Sequence, residues 1–453
     1  MSAQNKFNLT DGPIFKRLVA ISMPIMATSV MQMAFNFSDM FWLSRLSEGS
    51  VAAAGTAGLF LWLSMALIFI GRMGAEIGVS QNMGRDEPEA AKAFAQQSLM
   101  LSLVLGVLYA TAIIALRQPF IAFFNLGDPE VIRQAEQYLM LSVIALPFLF
   151  AANVVTGVFN GFGNTKLPFY VNSFSLALNI GLTPLFVFVL DMGIEGAAVA
   201  TIIASVINLA LKIWAIKKYS ARPFEGFNFF SKIDWVRIAR IFKWGTPVAI
   251  ESALFTILFM VVARRVADFG VGAIAAQRVG SQVESLSWMM AGGFASAVTA
   301  FMGQNFGAKK HDRLAQGYKI SITAMAIYGV FVALVLFFFA RPLISIFLQE
   351  EDSIMIGMDY LRIFAFTQIL ACMSGVAAGA FRGRGETMKP TITTTAGNVL
   401  RVALAYTLSM PFFGLGINGI WIGIAISVTM GHVWILLWYR KNHKRKGQVI
   451  LNE

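Results

Sequence analysis

"GVFNGFGNTKLP" at residues 157–168 returns as "GAFRGRGETMKP" at residues 379–390, a slide of 222 positions. Six of the twelve positions are identical: Gly157/Gly379, Phe159/Phe381, Gly161/Gly383, Gly163/Gly385, Thr165/Thr387 and Pro168/Pro390. The register holds on either side. With a slide of 223, "SMPIMATS" (22–29) lies over "GTPVAIES" (245–252), and "SQNMGRDEPEAA" (80–91) lies over "GQNFGAKKHDRL" (303–314). "MGIEG" (192–196) lies over "LGING" (415–419). Correspondence from residue 22 to residue 196 with so little gapping makes chance a poor explanation. The chain is an internal duplication.

Composition says what was duplicated. Of 453 residues, 57% are apolar or aromatic and 13% are charged. That charged share is about half of what soluble domains carry. Mean hydropathy is +0.67. Twelve apolar segments can be marked: 17–42, 52–80, 92–116, 131–157, 167–190, 194–216, 241–267, 273–302, 314–339, 354–380, 389–411 and 417–439. Each exceeds the roughly 20 residues that cross a bilayer as helix. Without water, backbone groups must pair within the segment, so long apolar runs lacking strand alternation are helices. The expected fold is an all-α polytopic membrane protein: twelve transmembrane helices in two parallel six-helix repeats around a central cleft. Residues 1–13 are polar and no small-residue cleavage site follows a short apolar core, so the first span is expected to be retained.

The net charge of +12 has a topological reading. Lys212, Lys217, Lys218, Arg222, Lys232, Arg237, Arg240 and Lys243 crowd one connection. "GAKKHDRL", "RGRGETMK" and the tail "YRKNHKRKGQ" are basic too, and all fall on one side of a twelve-span model. The positive-inside rule makes that side cytoplasmic, with both termini there. Residues 1–216 then form an N-terminal six-helix bundle, 217–240 a basic cytoplasmic linker, and 241–453 a C-terminal bundle with a basic tail. An even helix count per half makes the repeats parallel, related by an axis along the membrane normal, an architecture suited to alternating access. The inner membrane of a prokaryote is the expected location.

This arrangement resembles the multidrug and toxic compound extrusion (MATE) transporters. The resemblance rests on the duplicated six-helix pattern, the proline early in helices 1 and 7 (Pro24, Pro247), "QN" after helices 2 and 8, and "FRGRGETMKP" after helix 10. It implies a secondary antiporter that exports amphipathic organic cations in exchange for H+ or Na+, with membrane lipid as its other partner. The runner-up is an export flippase for a lipid-linked or other endogenous substrate. That reading predicts a lateral opening and a basic cavity, for which Arg72, Arg278 and Arg401 are the available cations. An enzyme is not expected: His311, His432 and His443 form no nucleophile–base set, and the glycine-rich turns lack the ending of a phosphate loop. Cys372 stands alone in an apolar run, so no intrachain disulfide exists. No cofactor beyond the coupling ion, no nucleic acid and a monomeric state are expected.

Ionisable groups at bilayer depth cost roughly 2.5–3.5 kcal/mol on insertion scales, so each one suggests function. Asp39, in "FNFSDMFW" on helix 1, can hold a proton, ligate Na+ or attract an organic cation. The family resemblance favours it as a coupling site. Asn153, Asn179, Thr183 and Thr201 are its polar companions in the N-terminal half, Asn179 and Thr183 sharing a helix face. That branch of the family often has an aspartate where Thr183 stands. Glu251 on helix 7, whose repeat-mate is Thr28, resembles the cation-binding acid of a second branch. The helix-10 aspartate that would partner it is replaced by Ala371. Na+ could sit at Asp39 or Glu251. Glu284 is near the middle of helix 8 and is expected either to pair with Arg278 or Arg401 or to contact drug. Substrate contacts are expected from Asp39, Met33, Phe35, Phe150, Glu251, Phe255, Glu284 and Met289, with Met40 and Met290 nearby. Methionine adapts its shape, and aromatic faces attract cations.

Overall fold

The computed structural model describes residues 7–124, 128–218, 224–229 and 231–450. Within these, the side chains of Phe35, Asn36, Phe37, Asp39, Met40, Ser44, Glu48 and 443–450 lie outside the described residues. The described chain is helical throughout and holds no strand. The helices are α1 (Ile14–Ser44), α2 (Glu48–Gly84), α3 (Pro88–Ala122), α4 (Pro129–Phe162), α5 (Lys166–Val189), α6 (Gly193–Lys218), α7 (Trp235–Ala267), α8 (Val271–Gly307), α9 (His311–Phe338), α10 (Glu351–Gly383), α11 (Met388–Leu408) and α12 (Gly416–Ile450). Eleven are both long and apolar enough to cross a membrane. The exception to the expected twelve is α11, which has 21 residues but loads them with Thr391, Thr393, Thr394, Thr395, Asn398 and Arg401. It has the length of a span without the apolarity. Pro184 lies near the end of α5, and a π-helical turn, Leu185–Val189, follows it. Proline supplies no N–H to the ladder there, and such turns relieve the register.

The duplication reappears in atomic contacts. A Cβ on Gly157 would lie 2.7 Å from the Arg72 carbonyl oxygen, and one on Gly379 would lie 2.4 Å from that of Ala295. Arg72 and Ala295 are themselves repeat-mates, so glycine allows the same backbone-to-backbone approach twice. Both following helix ends close alike. Gly163 (φ 93°) and Gly385 (φ 78°) take the left-handed conformation. Asn164 N–H donates to Phe159 O and Glu386 N–H to Phe381 O, each at 2.9 Å. This is the usual glycine termination, in which the turning residue lets the chain satisfy the last carbonyls. After α2 and α8 the pattern is again shared: Glu87 N–H to Asn82 O and Lys310 N–H to Asn305 O, both 2.9 Å.

Two compact units emerge. The first comprises Met1–Gly12, Met23–Ala249 and Gly303–Lys310; the second comprises Pro13–Ser22, Ile250–Met302 and His311–Glu453. In the first, α2 packs on α3 and α4, α4 on α6, and α5 on α6. Its core runs through Leu139, Val143, Leu146, Phe150 and Ala197, continuing to Val155, Phe159 and Phe162. Two chain segments are fastened onto it. The Leu9 N–H donates to Gln304 Oε1 (2.9 Å), Asn305 Nδ2 donates to Leu9 O (3.2 Å), and Gln304 Nε2 donates to Gly161 O (2.9 Å). The connection before α7 is held by α3: Gln97 Nε2 donates to Lys232 O (2.7 Å) and Gln96 Nε2 to Asn228 O (2.8 Å). Asp234 caps α7, accepting from Arg237 N–H at 3.0 Å, so residues 235–240 are helical. In the second unit α9 packs on α10, and α12 packs on both α10 and α11. Its core centres on Tyr360, Phe364 and Trp421, with the Tyr360 ring stacked on Phe364 at 4.4 Å and edge-on to Trp421 at 4.9 Å.

Candidate functional site

In the first unit the expected polar group assembles around α5 and α6. Asn179 Nδ2 donates to Thr201 Oγ1 at 3.2 Å, and Thr183 Oγ1 donates to Asn179 Oδ1 at 3.1 Å. Asn179 and Thr183 are one turn apart and buried. Every member is neutral, and the chain of hydroxyl and amide oxygens is the kind of group that ligates a hard cation. Asn153 stays out of it, donating to Leu149 O of its own helix at 3.0 Å. The side chains of Asp39 and Phe35, expected here, lie outside the described residues, as does that of Met40. Met33 is partly buried. Phe150 corrects the expectation of a substrate contact: it is 0% exposed. It fills the apolar core, its ring packed beside Gly106.

Lys212 was expected at the edge of the basic cytoplasmic connection. It is instead 2% exposed. Its ammonium points inward from α6 to α4, donating to Thr156 Oγ1 at 2.8 Å and Ala152 O at 3.0 Å. The sixth apolar segment, 194–216, already contains Lys212, but its charge grouped it with the lysines that follow.

In the second unit the two expected acids, Glu251 and Glu284, each accept side-chain hydrogen bonds. Glu251 Oε2 accepts from Arg382 Nη2 at 3.1 Å and from Thr391 Oγ1 at 3.3 Å. Both charges are largely shielded, with side chains 16% and 19% exposed. The missing aspartate at position 371 is thus not replaced by another acid; a cation from the end of α10 neutralises Glu251. Arg382 occupies the position of Asn160 in the other repeat, as Glu251 occupies that of Thr28. The two departures from the repeat are partners, and reading them together would have found the pair.

Glu284 on α8 accepts from Tyr360 Oη at 2.9 Å and from Gln368 Nε2 at 3.1 Å. Tyr360 and Gln368 are two turns apart on one face of α10, and Gln368 Oε1 in turn accepts from Ser287 Oγ at 2.9 Å. The expected ion pair is corrected: neither Arg278 nor Arg401 lies within 4.0 Å of Glu284 among the described residues. Arg278 is six residues from Glu284, hence about 240° around the helix, and it is exposed. Arg401 lies within electrostatic reach of Glu284, but its guanidinium rests over the Phe255 ring at 5.3 Å from the centroid. Phe255 stacks with Phe259 and meets Trp288 edge-on, each at 6.2 Å. Met289 and Met290 are partly buried, and Met290 Sδ accepts from Tyr328 Oη at 3.4 Å. The result is a carboxylate on α8 held, among the described residues, by neutral donors from α10, with an aromatic and methionine surface contributed by α7 and α8. Tyr360 and Gln368 went unread because aromatic and amide residues in an apolar span carry no charge to flag them.

The MatE family model matches this chain twice, over residues 24–185 and 247–407. These are the two halves of the duplication. The chain belongs to the MATE family of transporters. A probable multidrug resistance protein NorM of Thermotoga maritima is 27% identical over 97% of this chain and 95% of its own length. The probable multidrug resistance protein YpnP of Bacillus subtilis is 26% identical over 96% of both chains. Among solved structures, MATE in complex with MaL6 superposes with a TM-score of 0.91, at 23% identity, covering 98% of this chain and 99% of the other. An outward-facing multidrug resistance MATE family transporter superposes with a TM-score of 0.90, at 23% identity and 98% coverage of both. These likenesses carry the fold; the bacterial relatives add a link to multidrug resistance.

Proposed function

We propose that this protein is a secondary active efflux antiporter that exports amphipathic organic cations in exchange for H+ or Na+ by alternating access. It acts as a monomer in the inner membrane, with both termini and the 217–240 connection in the cytoplasm. The observation that carries this reading is Glu284. Its carboxylate is engaged by a phenol and an amide, and neither neutralises it. A proton, Na+ or an organic cation can therefore take the charge without first displacing an arginine. Competition between ion and drug for one carboxylate, or their preference for opposite conformations, is sufficient for coupling. The Phe255 and Met289 side chains supply the apolar contact a flat cation needs.

Glu251, already paired with Arg382, is a weaker candidate for that exchange and a better one for holding α7, α10 and α11 together. In the N-terminal half Asp39 is the coupling candidate, with the Asn179–Thr183–Thr201 group supplying neutral oxygens and Met33 and Phe35 supplying substrate contact.

The test is ethidium efflux from everted or proteoliposomal vesicles with Na+ and pH gradients imposed separately. Wild type, Asp39→Asn, Glu251→Gln and Glu284→Gln are run together. Loss of gradient-driven efflux in Glu284→Gln with unchanged protein levels supports a C-terminal coupling site. Loss only in Asp39→Asn moves coupling to the N-terminal half. No movement of cations by wild type under either gradient overturns the antiporter reading in favour of an endogenous lipid-linked substrate.

A further inference from the structure

Arg401 is a charge that the exchange at Glu284 leaves unused. It stands in the interior of α11, where the other repeat has Asn179. An arginine at bilayer depth is costly and marks function by default. Among the described residues its Nε is buried without an acceptor, and no carboxylate comes within 4.0 Å of its guanidinium. What it touches is the Phe255 ring, 5.3 Å from the centroid. That ring is in turn held by Phe259 and by Trp288, each centroid 6.2 Å away. Trp288 is one turn along α8 from Glu284, so the acid shares a helix face with a ring that meets Phe255. Glu284 and Arg401 are within electrostatic reach of each other without being in contact. The other ionisable groups near Arg401 are Tyr360 and, on α12, His432. Neither residue type adds negative charge at neutral pH.

We propose that Arg401 is a specificity-determining residue: it limits the substrate of this C-terminal site to a single positive charge, so that monocationic amphiphiles are accepted and dications of the same ring system are rejected. This rests on the reading of Glu284 as the acid that takes the substrate's charge. The reason is a count of charges. With its carboxylate ionised, Glu284 and Arg401 leave the empty site without net charge. A monocation takes up Glu284 and leaves Arg401 as the one charge in excess, lying over an aromatic face that tolerates it. A second positive charge on the same substrate finds no further acid near Arg401 among the described residues. The guanidinium repels it, and in a low-dielectric setting that repulsion is felt over many ångströms. Phe255 brings the two cations together, because a flat cation laid against that ring shares it with Arg401. Repulsion of the wrong ligand gives specificity as effectively as attraction of the right one.

Binding of ethidium and of propidium to the purified full-length protein in mild detergent, read by dye fluorescence, tests this. The two dyes share the phenanthridinium ring, and propidium carries a second quaternary ammonium on a short arm. Wild type is expected to bind ethidium more tightly than propidium. Arg401→Gln and Arg401→Met should shift the ratio of the two dissociation constants toward propidium on the order of tenfold, which is what one unit charge about 10 Å away exerts at an effective dielectric constant near 20. Arg401→Met keeps an apolar side chain against Phe255, so a packing defect in the glutamine variant does not decide the result. Arg401→Lys keeps the charge and should keep the wild-type ratio. Equal binding of the two dyes by wild type, an unmoved ratio in both neutral variants, or a lysine variant that behaves like them would each overturn the proposal. Glu284→Gln tells its failure from that of the transport reading. Loss of ethidium binding in Glu284→Gln with an unmoved ratio in Arg401→Gln sinks the charge limit alone, whereas unchanged ethidium binding in Glu284→Gln sinks the site itself.

Discussion

The two halves share a scaffold and differ in charge. At repeat-equivalent places the N-terminal half has Thr28, Asn160 and Asn179 where the C-terminal half has Glu251, Arg382 and Arg401. The glycine contacts and helix ends that set the backbone are the same in both. The polar groups differ in kind: Asn179, Thr183 and Thr201 exchange hydrogen bonds among neutral atoms, while Glu251 and Arg382 form an ion pair. At Glu251 and Arg382 the duplicated backbone takes up two opposite charges together, and each neutralises the other. An unpaired buried charge costs several kcal/mol, whereas a matched pair comes close to neutral.

Arg382→Ala gives the largest effect by this argument. It strands Glu251 and should lower stability by about 3 kcal/mol, seen as a drop in detergent melting temperature. Glu251→Gln/Arg382→Gln should recover most of it. If Asn160→Ala in the other half costs as much, charge is not what separates the two. Next come the glycines. Gly379→Ala places a Cβ 2.4 Å from a backbone oxygen and Gly157→Ala places one at 2.7 Å. Both should destabilise by about 1–3 kcal/mol, the C-terminal variant more, with melting as the readout. Equal effects would mean the two helix pairs relax differently from what their backbone spacing implies.

Thr183→Val should cost about 1 kcal/mol through the hydrogen bonds to Asn179. It probes a neutral network, so its effect should not vary between pH 5 and pH 8. The smallest effect is at Asp234. Hydrogen bonding from the Arg237 N–H, and then the Arg237 charge, hold its carboxyl below the usual value of 3.8. Its contribution is therefore complete above that value and fades as pH falls through the lowered one. Asp234→Asn still caps the helix, so neutral-pH stability should barely change. The variant's melting temperature should lose the part of its acid dependence that Asp234 carries, as a pH series below 5 would show.

Much of this was readable from residues alone. Periodic apolar runs and the 222-residue echo led to helices, halves and family, because lipid leaves the backbone few options. What resisted reading was the direction of individual side chains. Lys212 belongs by composition to a basic connection and by structure to the interior. Phe150 has the chemistry of a drug contact, yet it packs the core. Glu284 and Arg278 are near in sequence and far around the helix. Polar α11 failed the test of apolarity while keeping a helix's length. The first three cases turn on rotation about a helix axis, which charge and hydropathy alone fix poorly when nearly every face is apolar.

The clasp of Leu9 by Gln304 and Asn305 has a consequence for biosynthesis. Its two sides are separated by 295 residues in the chain. At translation rates of about 5–20 residues per second, the amino-terminal segment waits on the order of 15–60 seconds for the partners that will bind it. Until α8 is made, the Leu9 amide and carbonyl must be hydrated, or held by some temporary neighbour. Closing this clasp is thus a late event on the assembly line, and a natural point at which a half-made transporter could be told from a finished one.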